Sequence, residues 1–297
     1  MMPIASLDYF FIDGVTELRG PMQRNITNSR VLSASEEDVK RKIAISWNKA
    51  CSYYDCNGVL RKEIASREEE AWRAFLLREI GNKRMRILDV GTGTGFLSLI
   101  LASLGHEVVG IDMSDGMLSV CNRKAKDRGL KIDLKIGDAE YLTLEEDGFD
   151  VVVCRWVLWT LPHPERAISE WKRILKPGGR AYAFDTPYAD QKTDRIARAI
   201  KDNLSKLIIT AVERRNGWSS EYDRAINDSL PLHYDRPGSF KKEIDLFEAC
   251  GFIQVETSII EEVSAIWTEK WNCMPLRYRL GCRENRKWHF ISGRKQS

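Results

Sequence analysis

Between Ile87 and Phe184 short strand-like runs alternate with longer helical stretches, and this alternation restricts the fold more than any other property of the chain. Ile87–Val90, Val108–Ile111, Ile132–Ile136, Val151–Val153 and Ala181–Phe184 have strand length and strand composition. The run Val151-Val152-Val153 has charges only at its edges, as a central parallel strand covered on both faces requires. Helical patterns fill the gaps at Phe96–Leu104, which is almost wholly apolar and ends at Gly105, at about Asp115–Arg128, and at 164–175. The last opens with Pro164, places Ala167, Ile168, Trp171, Ile174 and Leu175 on one side, and closes before Gly178-Gly179. Strands joined in this way need right-handed crossovers, which predicts a doubly wound α/β sheet.

Outside that region the pattern changes. Residues 1–85 read as an N-terminal segment and helical cap. No periodicity is clear up to about residue 35, and a helical stretch over 39–80 has Ile64, Trp72, Phe75, Leu76 and Ile80 at helical intervals, with Gly81 as a stop. The run Glu68-Glu69-Glu70 reads as its solvated face. Residues 86–185 form the sheet core, and 186–238 an insertion lying over the carboxyl ends of the strands. That insertion opens with a long amphipathic helix marked by Ile196, Ile200, Leu204, Leu207, Ile208 and Ala211. Residues 239–297 return to the sheet through a helix near 239–250, a strand at 252–259 and a last strand at Lys287–Gly293.

Composition excludes little. A net charge of +3 on 297 residues is too small to argue for nucleic acid or an anionic membrane. The seven cysteines are odd in number and scattered, without a C-x-x-C, so neither a disulfide framework nor a metal site is expected. The first thirty residues hold Asp8, Asp13 and Glu17 and lack a basic cluster before an apolar run, a poor signal peptide. No stretch approaches the roughly 18 uncharged apolar residues of a membrane span. The expectation is a cytoplasmic protein with no membrane span and no nucleic-acid partner.

The sharpest motif is I-L-D-V-G-T-G-T-G-F, residues 87–96. Glycines at alternate positions after a buried strand permit a tight turn and close approach of a ligand to backbone. The helix that follows at once turns its free N–H groups toward the bound molecule. The spacing departs from the dinucleotide pattern G-x-G-x-x-G, because Phe96 stands where the third glycine would be. Asp89, just before the loop, either accepts from an ammonium group or holds the turn. Asp112 ends the second strand, where an acid can accept both hydroxyls of a ribose; its other role would be a helix cap, which Ser114 or Asp115 can fill instead. Asp138, in G-D-A-E, either caps a following helix or accepts from an adenine amino group.

The ordered set V-G-T-G-T-G, G-I-D-M-S-D-G-M-L, G-D-A-E, F-D-V-V-V-C-R and L-K-P-G-G-R resembles the class I S-adenosylmethionine-dependent methyltransferases. It is most similar to the small-molecule branch that includes the ubiquinone and menaquinone C-methyltransferases, specifically over roughly 86–185. The segment W-x6-Y-D, Trp47 to Tyr54-Asp55, resembles the entry segment of that branch. The resemblance implies a seven-stranded Rossmann-like sheet with an antiparallel last strand, an N-terminal helical segment and a helical lid insertion. It implies S-adenosylmethionine as cofactor, with Gly91, Thr92, Gly93 and Thr94 at its methionyl part and Asp89 near its ammonium. Asp112 would take the ribose hydroxyls, Met113 would pack on the adenine, and Asp138 and Ala139 would read its edge. Arg155 would lie beside the methionyl end, and Tyr54 would close over the cofactor unless it is a core aromatic.

The acceptor side is less determined. C-R-W-V-L-W-T-L-P-H-P lacks the N-P-P-[YF] pattern of enzymes that methylate amide or exocyclic amino nitrogens, and offers Trp156 and Trp159 as an apolar wall. Trp159 is the expected pocket-facing one of the two. His163 reads as a helix-start residue, His106 as distal, His289 as structural, and His233, in L-H-Y-D, as the candidate general base. Methylation of a small molecule is the leading expectation. The alternatives are an RNA or protein methyltransferase, for which Arg214, Arg215, Lys201 and Lys206 make a patch diluted by Asp202 and Glu213, and a non-catalytic cofactor-binding partner subunit. The cysteines Cys51 and Cys56 flank the tyrosine segment, and a metalloid-binding pair there is the remotest reading.

Overall fold

The structure, a computed structural model, describes residues 34–51, 54, 62–186, 200–201, 203–205, 207–208, 211, 239–273, 276 and 287–297. Two helices, α1 (Ala34–Ala50) and α2 (Lys62–Glu79), precede the sheet. The core then runs β1 (Arg86–Val90), α3 (Phe96–Ser103), β2 (Glu107–Asp112), α4 (Asp115–Asp127), β3 (Asp133–Ile136), β4 (Phe149–Arg155), α5 (Pro164–Ile174) and β5 (Leu175–Asp185). A short 3-10 turn, Leu158–Thr160, separates β4 from α5. After residue 238 come α6 (Ser239–Ala249), β6 (Ile253–Ile259), α7 (Glu261–Cys273) and β7 (His289–Arg294).

The strands form one seven-stranded sheet in the order β3-β2-β1-β4-β5-β7-β6. The first five are parallel, and β7 runs antiparallel between β5 and β6. Strand alternation divides the core. Leu88, Val90, Val152 and Cys154 face one layer with Ala167, Ile168 and Trp171 of α5 and Phe247 of α6. Ile87, Val151 and Val153 face the other, with Trp72, Phe75 and Leu76 of α2 and Leu97, Ile100 and Leu101 of α3. Trp72 is fully buried there and meets Phe75, Phe96, Phe184 and Trp288 edge-on.

Every expected strand is present, and the last is antiparallel as the resemblance implied. Three features depart from expectation. Helix α7 was not anticipated. Glu68 is not on a solvated face: it is 7% exposed, and Lys270 of α7 lies 3.3 Å from its carboxylate. Charged groups leave water only when paired, so a long-range partner overrides the local pattern. No helix follows Asp138, which sits in an irregular turn bridged to Tyr141. The described residues between 200 and 211 are helical, with Ile200, Leu204 and Leu207 exposed. The rest of the 186–238 insertion, His233 and Cys56 lie outside the described residues.

Candidate functional site

Strand order reverses between β1 and β4, whose helices pack on opposite faces, so a crevice opens beyond their carboxyl ends. A cleft of about 750 Å³ occupies it. Its floor is Gly91 and Gly93 after β1, Asp112 and Met113 after β2, and Asp138 and Ala139 after β3. Arg155, Trp156 and Val157 after β4 form one side, while Lys40, Ile43, Trp47 and Tyr54 form the other. The N-terminal helix therefore walls a cavity whose floor is the sheet.

The glycine loop is held from beneath. Asp89 is 2% exposed and accepts from Thr92 Oγ1 at 2.9 Å, Ser98 N at 3.1 Å and Ser98 Oγ at 2.7 Å. Of its two expected roles, the geometry gives the second: it fixes the turn and does not border the cavity. Thr92 and Thr94 are likewise buried, and neither borders the cleft. Gly91 and Gly93 both have left-handed backbone, with φ of 64° and 55°. A Cβ on Gly91 would stand 2.4 Å from Val157 Cγ2, so that glycine serves packing. A Cβ on Gly93 would meet no neighbour closer than 4.0 Å and would intrude on the cleft it borders. Gly93 is thus the position that leaves room for a ligand.

Burial pushes the Asp89 carboxyl up to about 6, against the pull of its hydrogen bonds from Ser98 and Thr92 and of the Arg155 charge. The sign follows directly. Between about pH 4 and pH 6 the folded protein keeps a proton that the unfolded chain has released, so this group's contribution to stability declines as pH rises through that window and is level above it. Asp89→Asn is expected to remove that decline, worth roughly 3 kcal/mol for a rise from 3.8 to about 6. Urea unfolding of both proteins at pH 4.5 and pH 7 captures roughly 2 kcal/mol of it; an unchanged gap between them would contradict the assignment.

Asp112 accepts from Gly93 N and from Ser114 N, each at 2.9 Å. Ser114, not Asp112, caps α4, accepting from Met117 N at 3.1 Å. Burial raises the Asp112 carboxyl, opposed by these backbone donors. Asp138 also borders the cleft, and one of its oxygens is 2.7 Å from Lys40 Nζ. Arg155 is stacked among aromatic rings: its guanidinium lies 4.0 Å from the Phe96 ring centre and 4.8 Å from that of Trp156. Tyr54 meets Trp47 edge-on at 5.7 Å, and both face the cleft.

Of the two tryptophans after β4, Trp156 borders the cleft. Trp156 has φ of 59°, donates its indole N–H to Thr186 Oγ1 at 3.3 Å, stacks on Trp288 and borders the cleft; Trp159 does not border it. His163 occupies the cap position of α5, with its ring on Glu36 and its backbone N donating to Glu140. His106 is buried after α3, and His289 starts β7. Lys40, Asn48 and Glu140 were not anticipated. Asn48 Oδ1 accepts from Ser114 Oγ at 2.7 Å and Gly116 N at 2.9 Å, which pins α1 to the start of α4. Among the described residues no helix is long and apolar enough to cross a membrane, and no cluster of acidic, histidine or cysteine side chains could hold a metal.

Residues 88–183, which carry the glycine turn and the acid closing β2, match the family model described as "Methyltransferase domain". Over 108 residues, 36% of this chain and 46% of the relative, it is 35% identical to the ubiquinone biosynthesis O-methyltransferase of Coxiella burnetii. It is 28% identical over 221 residues to the demethylmenaquinone methyltransferase of Clavibacter sepedonicus, covering 72% of this chain and 84% of that one. The match thus spans about half the length of the Coxiella relative. A similar solved fold is phosphoethanolamine N-methyltransferase 2 of Haemonchus contortus with S-adenosylhomocysteine, at TM-score 0.53, 17% identity and coverage of 76% of this chain and 53% of that one.

Proposed function

We propose that the protein transfers a methyl group from S-adenosylmethionine to a small molecule bound in the cleft beyond β1 and β4. The observation that carries this reading is the cradle of Gly93 and Asp112: an open left-handed glycine whose N–H is fixed by a carboxylate that itself borders the cavity. In this reading Asp112 accepts the ribose hydroxyls, Met113 packs on the adenine, and Asp138 and Ala139 meet its edge. Gly91, Gly93, Arg155 and Tyr54 surround the methionyl end, to which Thr92 and Thr94 contribute backbone only. Asp89 acts through the loop it holds.

When bound, the cofactor supplies a methyl group on a positively charged sulfur. What the chain must do is exclude water and align the acceptor, which accounts for much of the rate of an in-line displacement. Trp47, Tyr54 and Trp156 supply an aromatic boundary, and Trp156 replaces Trp159 as the acceptor-side candidate. His233 remains the proposed base for an acceptor that arrives protonated. Residues 1–85 act as cap, 86–185 as donor-binding core, 186–238 as lid and 239–297 as the completion of the sheet. The names of the two bacterial relatives point to quinone-type aromatic acceptors.

Calorimetric titration with S-adenosylhomocysteine, followed by transfer assays on phenolic and quinol acceptors, tests the reading. Binding with turnover is expected. Absence of binding to the intact chain overturns it, and binding with no turnover across the panel favours a non-catalytic partner subunit.

A further inference from the structure

Lys40 reaches the cavity from α1 and is 4% exposed, a burial that lysine attains only when its charge is paired. Its Nζ lies 2.7 Å from Asp138 Oδ2 and 2.5 Å from Glu140 Oε2, and 4.7 Å from the ring centre of Tyr141. With two carboxylates and a ring face around it, the ammonium is engaged on the protein side. The two carboxylates differ. Glu140 is wholly buried, and its Oε1 accepts from His163 N at 2.7 Å. The side chain of Asp138 keeps 22% of its surface, borders the cleft, and accepts from Glu140 N at 2.9 Å through its other oxygen.

One cation shared by two carboxylates leaves one negative charge, and its solvent-facing end is Asp138. The lysine is itself well placed. Glu36, one turn earlier on α1, meets His163 and Arg166, and Asn48, two turns later, holds the start of α4. A helix tied on both sides of Lys40 delivers its ammonium to one place.

We propose that Lys40 is a positioning residue: it fixes the Asp138 carboxylate as an acceptor for the amino group of the donor's purine, and so makes the site select a 6-amino over a 6-oxo purine. This rests on the donor assignment proposed above. Without the lysine, Asp138 and Glu140 would repel, and either the loop would shift or one carboxylate would take up a proton. A carboxylate held toward the purine accepts from an amine and faces a carbonyl with no donor between them, which is how a polar site discriminates strongly.

The test is titration of the wild type, Lys40→Met and Lys40→Gln with S-adenosylhomocysteine and its 6-oxo analogue S-inosylhomocysteine, with thermal melts in parallel. The wild type is expected to prefer the adenosyl ligand by on the order of tenfold or more, the effect of one hydrogen bond to a charged group. Lys40→Met should bring that ratio close to one, and Lys40→Gln, which keeps one donor and supplies the measurement if the methionine variant does not fold, should give an intermediate ratio. Equal loss for both ligands, with the ratio intact, would make Lys40 a structural support only and overturn the proposal. A wild-type ratio near one overturns it too, together with the Asp138 assignment, while donor binding stands. If the wild type binds neither ligand, the donor reading itself fails and the proposal falls with it.

Discussion

Replacing Asp112 by alanine is expected to weaken S-adenosylhomocysteine binding by at least about a hundredfold with little change in melting temperature, because two charge-assisted hydrogen bonds to a vicinal diol contribute roughly 1.5–3 kcal/mol each. The same carboxylate tethers Gly93 N and Ser114 N, so the variant also loosens the floor on which the ligand lies. Stability changes little because two effects oppose each other. Burial already disfavours the charged form of Asp112, so its removal relieves a desolvation cost while forfeiting two backbone hydrogen bonds. Calorimetry and thermal melts read the two quantities separately. Affinity equal to that of the wild type would remove Asp112 from the ligand site.

The second large effect is on folding. Gly91→Ala is expected to destabilise the protein by about 2–5 kcal/mol, combining left-handed backbone strain with overpacking. The strain comes from φ of 64°, and the overpacking from a Cβ 2.4 Å from Val157 Cγ2. Pairing it with Val157→Ala separates the two contributions. If Val157 is the obstacle, the double variant should cost less than the sum of the single ones by roughly 1–3 kcal/mol. Strict additivity in urea unfolding would show that backbone strain acts alone and that the contact with β4's following loop carries no weight.

How much of this was legible in the sequence depends on the range of the interaction. Val151-Val152-Val153 and Ile87–Val90 announce central strands because burial on both faces is written into adjacent residues. Asp112 was legible as a cleft residue because it stands at a strand end, beside the glycine turn. Gly91 was read together with Gly93 as ligand contact, yet its missing Cβ makes room for Val157, sixty-six positions away. Trp156, and not the expected Trp159, borders the cleft because the left-handed turn at Trp156 and the 3-10 turn after it break the alternation that side-chain direction follows in a strand. Helix α7 buries little more than Val263 and Ser264 among its polar residues, which leaves a weak apolar stripe. Glu68 looked like a solvated charge and Lys40 carried no signal, since nothing local marks partners 202 and 98 residues distant.

The placement of β7 between β5 and β6 bears on how the chain assembles as it is made. Strands β1 to β5 each have a neighbour within their own group, complete before β6 is made, whereas β6 pairs, among the described residues, only with β7, the last strand to emerge. Until β7 arrives, the outer edge of β5 is open and β6 has no ladder to join. The sheet is therefore completed in one late event, when the final two strands add as a hairpin-like unit to a parallel core that already carries the glycine loop and Asp112. A nascent chain stopped short of His289 would hold the glycine loop and Asp112 beside an unpaired strand edge, the kind of surface that invites association with other chains.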